Sequence, residues 1–372
     1  MEAKKLGFGC MRLPLTDNSN VKSIDSAELN KMVDLFIEKG FTYFDTAYMY
    51  HAYKSETAVR EALVKRHKRD SYTLATKLPT MFLKTKEDME RIFNEQLDKC
   101  GVEYFDYYLL HNLNAHHYSI AQRLECFSFV IQKKKEGKIK HIGFSMHDSS
   151  ELLDEILTSH PEMEFVQIQL NYLDWDSKTI QSGKCYDVAK KHNKPVIVME
   201  PVKGGTLASV PAEAKELFKD YHPDMSVASW AIRFAASHDN VMIVLSGMSD
   251  LEQIEDNISY MQNFKPFNKE EYKIAAKAAD IINSTIAIPC TSCEYCTEKC
   301  PQNIAIPKYF TLYNAEKQAL NKLFSTQNIY YNNYIKTHGK ASDCIQCGQC
   351  EQACPQHIKI TERLKDVAEV FE

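Results

Sequence analysis

Short apolar runs alternate with amphipathic segments along most of the chain. The apolar runs are rich in β-branched and aromatic residues, as in FTYFDTAYMY at residues 41–50, and such runs are typical of buried β-strands. Strands that alternate with helices at this period predict a parallel sheet. We expect eight strands, at residues 6–13, 42–47, 72–77, 105–111, 139–146, 165–172, 195–201 and 241–247.

The segments between these strands predict amphipathic helices, at residues 25–39, 55–65, 85–100, 121–136 and 225–237. Eight such units favour a closed barrel over an open, doubly wound sheet, and no GxGxxG motif follows any strand. The predicted fold class is therefore α/β, a (β/α)8 TIM barrel. All strand carboxyl ends then emerge on one face, where ligand chemistry is expected. The connection at residues 203–223 has little apolar periodicity and is expected to be a rim loop.

Composition and charge narrow the range of partners. The chain has 372 residues and a formal net charge of -5, with acidic and basic residues interspersed, so neither nucleic acid nor a membrane is expected as a partner. The longest apolar runs are strand-sized, and the start, MEAKKLGFG, lacks the pattern of a signal peptide. We therefore expect a cytoplasmic protein.

Four ionisable residues are expected on the carboxyl rim of the barrel. Asp45, Lys77 and His111 each end a predicted strand, and Tyr50 lies in the loop after Asp45. Each has an ordinary structural explanation alone, but their convergence on one rim favours function. Lys77 is expected to pair with Asp45, to stabilise the Tyr50 phenolate and so to lower the pKa of that phenol, which makes Tyr50 a proton donor. His111 can polarise a carbonyl from the other side.

The motifs around these residues resemble those of a known family. FDTAYMY, SETAVREAL, ATK and LLH are similar to the corresponding motifs of the aldo-keto reductases, which are NAD(P)H-dependent barrel oxidoreductases, and the resemblance spans residues 5–260. It implies that Tyr50 is the general acid, that Lys77 and Asp45 tune it, and that His111 orients the carbonyl. It also implies contacts to the nicotinamide amide from Ser145 and Gln167.

The segment SGMSDLEQIEDN after the last strand resembles the part of the family that holds the adenosine phosphates. This likeness implies four further cofactor-binding residues, Ser246, Gly247, Gln253 and Asn257. The basic residue that usually binds the 2′-phosphate is missing at residues 248–250, and Asp250 there favours NADH or a looser preference. Met146 and Met199 stand where the family has an asparagine and a stacking aromatic residue, and both are expected to leave space where nicotinamide contacts would otherwise lie.

The cysteines fall into two classes. Of the twelve, Cys10, Cys100, Cys126 and Cys185 are scattered and are expected to be small buried hydrophobic residues. The other eight form two runs with the spacing Cys-x2-Cys-x2-Cys-x3-Cys-Pro, which is typical of [4Fe-4S] ligation rather than of zinc or disulfides. The predicted metal ligands are Cys290, Cys293, Cys296, Cys300, Cys344, Cys347, Cys350 and Cys354.

This region resembles two-cluster bacterial ferredoxins, in which the fourth cysteine of each run ligates the other cluster. The resemblance implies one site from Cys290, Cys293, Cys296 and Cys354, and a second from Cys344, Cys347, Cys350 and Cys300. The segment at residues 306–339 is long and helix-like, so a largely helical variant is expected. The predicted domains are the barrel at residues 1–264, a connecting helix at 265–285 and the ferredoxin-like iron-sulfur domain at 286–372.

Three functions are compatible with these features. The leading interpretation is an oxidoreductase that reduces a small-molecule carbonyl, or oxidises an alcohol, with NAD(P)H, while two [4Fe-4S] clusters serve electron transfer or structure. A second is an electron-transfer enzyme, with flavin as a further cofactor, whose clusters exchange electrons with a redox protein. A third is a redox-sensing module that binds nucleotide without turnover.

Overall fold

Eight parallel strands close into a barrel in chain order, and β8 pairs with β1. The computed structural model describes residues 4–178, 180–284, 287–290, 294, 296–319, 325–354 and 356–372. The barrel confirms the predicted fold class. The strands are β1 Leu6–Gly9, β2 Tyr43–Asp45, β3 Thr73–Leu78, β4 Phe105–Leu113, β5 Ile139–Met146, β6 Phe165–Gln169, β7 Val196–Met199 and β8 Val241–Ser246.

The inside of the barrel is a packed core and not a channel. Its lumen is filled by side chains from six of the strands, namely Tyr43, Ala75, Leu109, Phe165, Ile197, Ile243 and Leu245, all at most 7% exposed. Ligands are therefore confined to the rim. The register brings the carboxyl ends of adjacent strands together, since Asp45 pairs with Gly9 on one side and with Ala75 on the other.

Helices surround the barrel and continue into the C-terminal region. They are α1 Ser26–Glu38, α2 Tyr50–Tyr53, α3 Ser55–Val59, α4 Lys86–Cys100, α5 Ala115–Arg123, α6 Cys126–Lys135, α7 Ser150–Ser159, α8 Ser182–Lys191, α9 Ala212–Tyr221, α10 Val227–Ala236, α11 Leu251–Met261, α12 Lys269–Ser284, α13 Ile306–Gln318, α14 Thr326–Tyr334, α15 Gln349–Gln352 and α16 Ile360–Phe371. None of the helices in the described ranges is long and apolar enough to cross a membrane.

Two predictions were wrong, one about a helix and one about a loop. The segment expected as one helix at 121–136 is divided between α5 and α6, because Glu125 adopts a left-handed backbone with φ 60°. The segment at 203–223, expected as a loop, contains the 3-10 turn Lys203–Ala208 and then α9. Phe218 of α9 is buried and stacks on Trp230, with ring centroids 4.6 Å apart.

The C-terminal region has its own core. Helix α12 still belongs to the barrel, since Ile274, Ala275 and Ala278 are buried in the barrel core. Beyond it, α13, α14 and α16 enclose a separate cluster that includes Tyr309 and Leu364. The region expected as one long helix-like segment at 306–339 is thus built around two helices, α13 and α14.

Candidate active site on the barrel rim

The four ionisable residues of the rim converge as expected. Lys77 Nζ donates to Asp45 Oδ1 at 2.5 Å and to the Thr46 carbonyl at 2.8 Å. Lys77 is 1% exposed and Asp45 2% exposed. The ammonium lies 5.0 Å from the centre of the Tyr50 ring, and the His111 ring meets the Tyr50 ring edge-on at a centroid distance of 6.0 Å.

Burial sets the protonation of this cluster. It raises the pKa of Tyr50, and the nearby Lys77 ammonium only partly opposes that rise. The expectation of a lowered Tyr50 pKa was therefore wrong in its net sign, because desolvation of the phenolate outweighs the cation. For Lys77, burial disfavours the charge, but the charges and hydrogen bonds of Asp45 and Tyr50 together outweigh burial and raise the Lys77 pKa. Tyr50 thus keeps its proton beside a permanently charged lysine.

His111 is held neutral. Burial, followed by the charge of Lys77, holds the pKa of His111 well below its usual range. Its Nδ1 atom is buried and has no hydrogen-bond partner among the described residues. A shift in the β4–β5 register between Leu110 and Leu113, together with φ 55° at Asn112, distorts the strand at His111. The sequence predicted that β4 ends at His111, but with this irregularity the strand continues to Leu113.

The turn that carries Tyr50 is fixed by its neighbour His51. Three residues in succession, His51, Ala52 and Tyr53, have left-handed backbone angles, with φ 51°, 49° and 72°. The His51 imidazole accepts from the Leu13 amide at 3.0 Å, and its Nδ1 lies 2.7 Å from the Val21 carbonyl. The ring therefore ties the loop after β1 to the turn after β2, which explains how an uncommon backbone is kept in place.

A cavity of about 660 Å³ opens beside the catalytic tetrad, the name used here for Asp45, Tyr50, Lys77 and His111, and runs along the rim. Each predicted catalytic residue lines it, and so does each predicted cofactor-binding residue, namely Ser145, Gln167, Ser246, Gly247, Gln253 and Asn257. Ser145 Oγ accepts from the Asn112 amide at 2.9 Å, and Gln167 Oε1 is buried without a partner in the described part of the chain. Asn257 Nδ2 donates to Ser246 Oγ at 2.8 Å.

Met146 and Met199 lie in different environments. Met199 lines the cavity, whereas Met146 is 2% exposed and belongs to the core around the barrel. Because side chains alternate along a strand, Ser145 faces inward and Met146 faces outward. The expectation of extra space at both positions was therefore wrong for Met146.

Sequence reasoning missed two cations in the cavity, Arg12 and Lys336. Arg12, in the loop after β1, lines the cavity and covers Gly247, where a β-carbon would meet its side chain at 3.2 Å. No carboxylate of the described residues forms an ion pair with it. Its position directly after the first strand was the available signal, since all residues that follow strands of a barrel reach the same rim.

Helix α14 of the C-terminal region also reaches the cavity, which nothing in the local sequence indicates. Thr326, Ile329, Asn332, Asn333 and the following Lys336 line it. Tyr330 anchors the helix, since its hydroxyl donates to Gln169 Oε1 at 3.2 Å and its ring meets the His147 ring at 4.8 Å.

The predicted metal-binding cysteines line two small cavities in the C-terminal core. Cys290, Cys296 and Cys354 line one, while Cys300, Cys344, Cys347 and Cys350 line the other. Cys293 lies outside the described residues. In each cavity the cysteines of one run are joined by the fourth cysteine of the other run.

Both cysteine cavities are bordered by apolar side chains. Ile306 lies between them and borders each, and the Ile304 amide donates to Cys300 Sγ at 3.5 Å. Such amide contacts and an apolar shell are features that tune iron-sulfur clusters. No three His, Cys, Asp or Glu side chains of the described ranges converge as closely as a single metal ion requires.

Taken together, the closed parallel barrel and the Asp-Lys-Tyr-His cluster on its carboxyl rim define a TIM-barrel oxidoreductase with a cysteine-rich extension. The chain belongs to the aldo/keto reductase family, whose model matches residues 5–280. A 4Fe-4S dicluster domain follows and matches residues 289–358. The predicted family, domain combination and enzyme class are confirmed.

The chain is similar to several oxidoreductases and aldo-keto reductases. The chain is 22% identical to an uncharacterized oxidoreductase of Bacillus subtilis, YqkF, over 73% of the chain and 92% of that protein. It is 30% identical to the probable aldo-keto reductase 1 of Glycine max, over 47% of the chain and 49% of that protein. These likenesses support the family assignment.

Solved structures show the same fold. The aldo-keto reductase AKR11C1 of Bacillus halodurans, in its holo form, aligns with a TM-score of 0.59 at 23% identity, over 74% of the chain and 91% of that structure. An aldo-keto reductase of Klebsiella pneumoniae in complex with NADPH aligns with a TM-score of 0.58 at 17% identity, over 74% and 95%.

Proposed function

We propose that the barrel reduces a small-molecule carbonyl with NAD(P)H, or oxidises the corresponding alcohol. The observation that carries this is the position of Tyr50. Its phenol keeps its proton, it lies beside the buried Lys77–Asp45 ion pair, and it faces neutral His111 across the mouth of the cavity. A proton donor and a second polar group thus flank one point where a carbonyl oxygen can bind.

The residues around the cavity fit a nicotinamide cofactor. Gln167 Oε1, which is buried and has no partner among the described residues, can accept from the carboxamide, and the Ser145 hydroxyl can donate to it. When bound, the cofactor supplies the hydride. Tyr50 then gives its proton to the carbonyl oxygen, while Lys77 stabilises the phenolate that remains. His111 holds the oxygen in line through its neutral imidazole.

Arg12 is the proposed partner of the cofactor diphosphate. It lies over Gly247, at the start of the segment that leads into α11, and Ser249 Oγ donates to its carbonyl at 3.0 Å. Asp250 caps α11 by accepting from the Gln253 amide at 2.8 Å, and Gln253 Nε2 donates back to it at 2.8 Å. Since residues 248–250 offer no cation, we propose NADH or a loose preference.

The test of this function is Tyr50→Phe. Because it removes the proton donor and little surface, we expect carbonyl reduction to fall by about 10²- to 10⁴-fold while NADH binding, followed by fluorescence, stays nearly unchanged. Tyr53→Phe is the matched control, since Tyr53 lies in the same turn but is 47% exposed and outside the cavity. Turnover by Tyr50→Phe at the rate of the control would rule out the proposed acid.

We further propose that the C-terminal domain holds two [4Fe-4S] clusters with crossed ligation. The support is the pairing of cysteines in the two cavities, where Cys354 joins the first run and Cys300 joins the second. Four thiolates around a cube each bind a different iron, which explains why they need not converge on one ion.

Electron transfer to a partner is a second candidate function, favoured by one observation. Ile345 is 60% exposed next to Cys344 of the second run, and Cys347 is exposed as well. An exposed apolar side chain beside a cluster ligand suits transient docking of a redox protein. A flavin is the cofactor that would join such single-electron transfer to hydride chemistry. In the described part of the chain, the buried thiols of Cys10, Cys100, Cys126 and Cys185 form no disulfide, which suits a reducing, cytoplasmic compartment.

A further inference from the structure

Helix α14 is fixed rigidly to the barrel rim. At its start, Thr326 Oγ1 donates to Glu200 Oε1 at 2.9 Å. In its middle, the Tyr330 hydroxyl donates to Gln169 Oε1, and Gln169 Nε2 donates in turn to Asp174 at 2.7 Å. Asp174 is paired with Lys203 at 2.6 Å. A helix of the iron-sulfur domain is therefore joined to a buried polar network of the reductase domain.

One face of this helix forms a wall of the cavity. The lining residues Asn332 and Asn333 lie three and four residues after Ile329, which places all three on a single helical stripe, and Lys336 extends this stripe in the turn that follows the helix. The stripe changes from apolar to polar along its length. It begins with the apolar Ile329 and ends with two amides and an ammonium.

At the polar end of the stripe, two donor groups have no acceptor within the part of the chain that the structure describes. Asn333 Nδ2 is buried and has no hydrogen-bond partner in the described ranges. Lys336 forms no ion pair with any described carboxylate. Its charge acts on another lining residue, His117, whose pKa is lowered mainly by burial and further by the charges of His116 and then Lys336.

The acidic residues that line the cavity already have partners. Asp45 is paired with Lys77, and Glu200 accepts from Thr326. Asp256 accepts from Ser226 Oγ at 2.7 Å. With no acceptor among the described residues, the ammonium of Lys336 and the amide of Asn333 can bind an anionic group brought by a ligand.

We propose that α14 completes the substrate pocket of the barrel, and that Lys336 with Asn333 selects carbonyl substrates that carry a carboxylate. This assignment rests on the proposed reductase function. It gives the iron-sulfur domain a role in substrate choice that is independent of electron transfer.

The test compares two aldehydes of similar size, 4-carboxybenzaldehyde and uncharged 4-methylbenzaldehyde, with the full-length holoenzyme. In Lys336→Met, kcat/KM for the carboxylated aldehyde should fall about five- to tenfold, as expected for loss of one charge-assisted contact. For the methyl compound it should change less than about twofold. Lys336→Arg, which keeps the charge, should retain most of the preference.

Lys365→Met is the matched control, because Lys365 is exposed in α16 and does not line the cavity. Equal loss for both aldehydes, or no loss for either, would overturn the assignment while leaving the reductase function intact. If the unaltered enzyme reduces neither aldehyde, the proposed function fails. The role of Lys336 in the pocket is then tested by measuring the binding of 4-carboxybenzaldehyde calorimetrically. Equal affinity of the unaltered protein and Lys336→Met for 4-carboxybenzaldehyde would then overturn it.

Discussion

At the scale of single residues, the chemistry of the rim follows from where strands end. Asp45 and Lys77 lie at or near the carboxyl ends of β2 and β3, so a parallel barrel had to bring them together. Their burial could not be known from the sequence. Burial disfavours the Lys77 ammonium, but Asp45 and Tyr50 together raise the Lys77 pKa above its usual value, and burial also raises the pKa of Tyr50.

Arg12 gives a prediction at this scale. Arg12→Gln removes a cation that we place at the cofactor diphosphate, which NADH and NADPH share. We expect the Kd of both dinucleotides to rise by a similar factor, about tenfold, as for loss of one charge-assisted hydrogen bond. Fluorescence titration measures both constants.

Arg91→Gln is the control for this measurement, since Arg91 is 58% exposed in α4 and away from the cavity. Weakening of NADPH alone would place Arg12 at the 2′-phosphate and contradict the diphosphate assignment. Weakening of neither would remove Arg12 from the cofactor site.

Sequence reasoning found the catalytic tetrad of the rim but missed Arg12, and the reason is physical. Tyr50, Lys77 and His111 sit in motifs of characteristic spacing, whereas Arg12 is one basic residue in the short segment CMRLP. Its function depends on lying over Gly247, 235 residues later, and that contact exists only once β1 and β8 are paired.

At the scale of elements, strands were predicted better than the helices that depend on long-range packing. All eight strands were found, because each is a buried run with its own composition. The α9 helix was missed although Ala214, Leu217 and Phe218 are spaced for it. The role of α14 could not be predicted, because its cavity face is polar and becomes a wall only after docking on the rim.

The cysteine runs give the prediction for this scale. In Cys300→Ser, the cluster held by Cys344, Cys347 and Cys350 should be damaged, since Cys300 lines their cavity and not that of its own run. Low-temperature EPR of the reduced protein, with iron quantified, separates the two clusters. Selective loss of the cluster bound by Cys290 would show local ligation instead.

Cys126→Ser controls for the general effect of replacing a thiol. Cys126 is buried in the barrel core at the start of α6, so this change should leave both cluster signals intact. Loss of both clusters in Cys126→Ser would mean that the damage in Cys300→Ser reports destabilised folding and not ligation.

At the scale of the whole molecule, the two domains meet at the active site. The cofactors proposed for them, however, transfer different numbers of electrons in one step. A nicotinamide gives up a hydride, two electrons together, whereas an iron-sulfur cube exchanges one electron at a time. The structure adds a physical link, through Tyr330 and the Gln169–Asp174–Lys203 network, but that link is made of hydrogen bonds and an ion pair. It fixes geometry and provides no group that converts a hydride into single electrons.

The final prediction follows from this mismatch. Without a flavin, the clusters should stand outside the hydride chemistry, and α14 should serve the reductase only as a wall of its pocket. We therefore expect anaerobic, flavin-free protein to reduce carbonyls with NADH or NADPH while the visible absorption of its clusters stays unbleached. Dithionite, a direct one-electron reductant, should bleach the same sample and shows that the clusters are intact. Added flavin should allow bleaching by the nicotinamide, because it accepts two electrons and releases them singly. Rapid, stoichiometric bleaching by NADH or NADPH in verified flavin-free protein would contradict this separation and establish a direct route between the two domains.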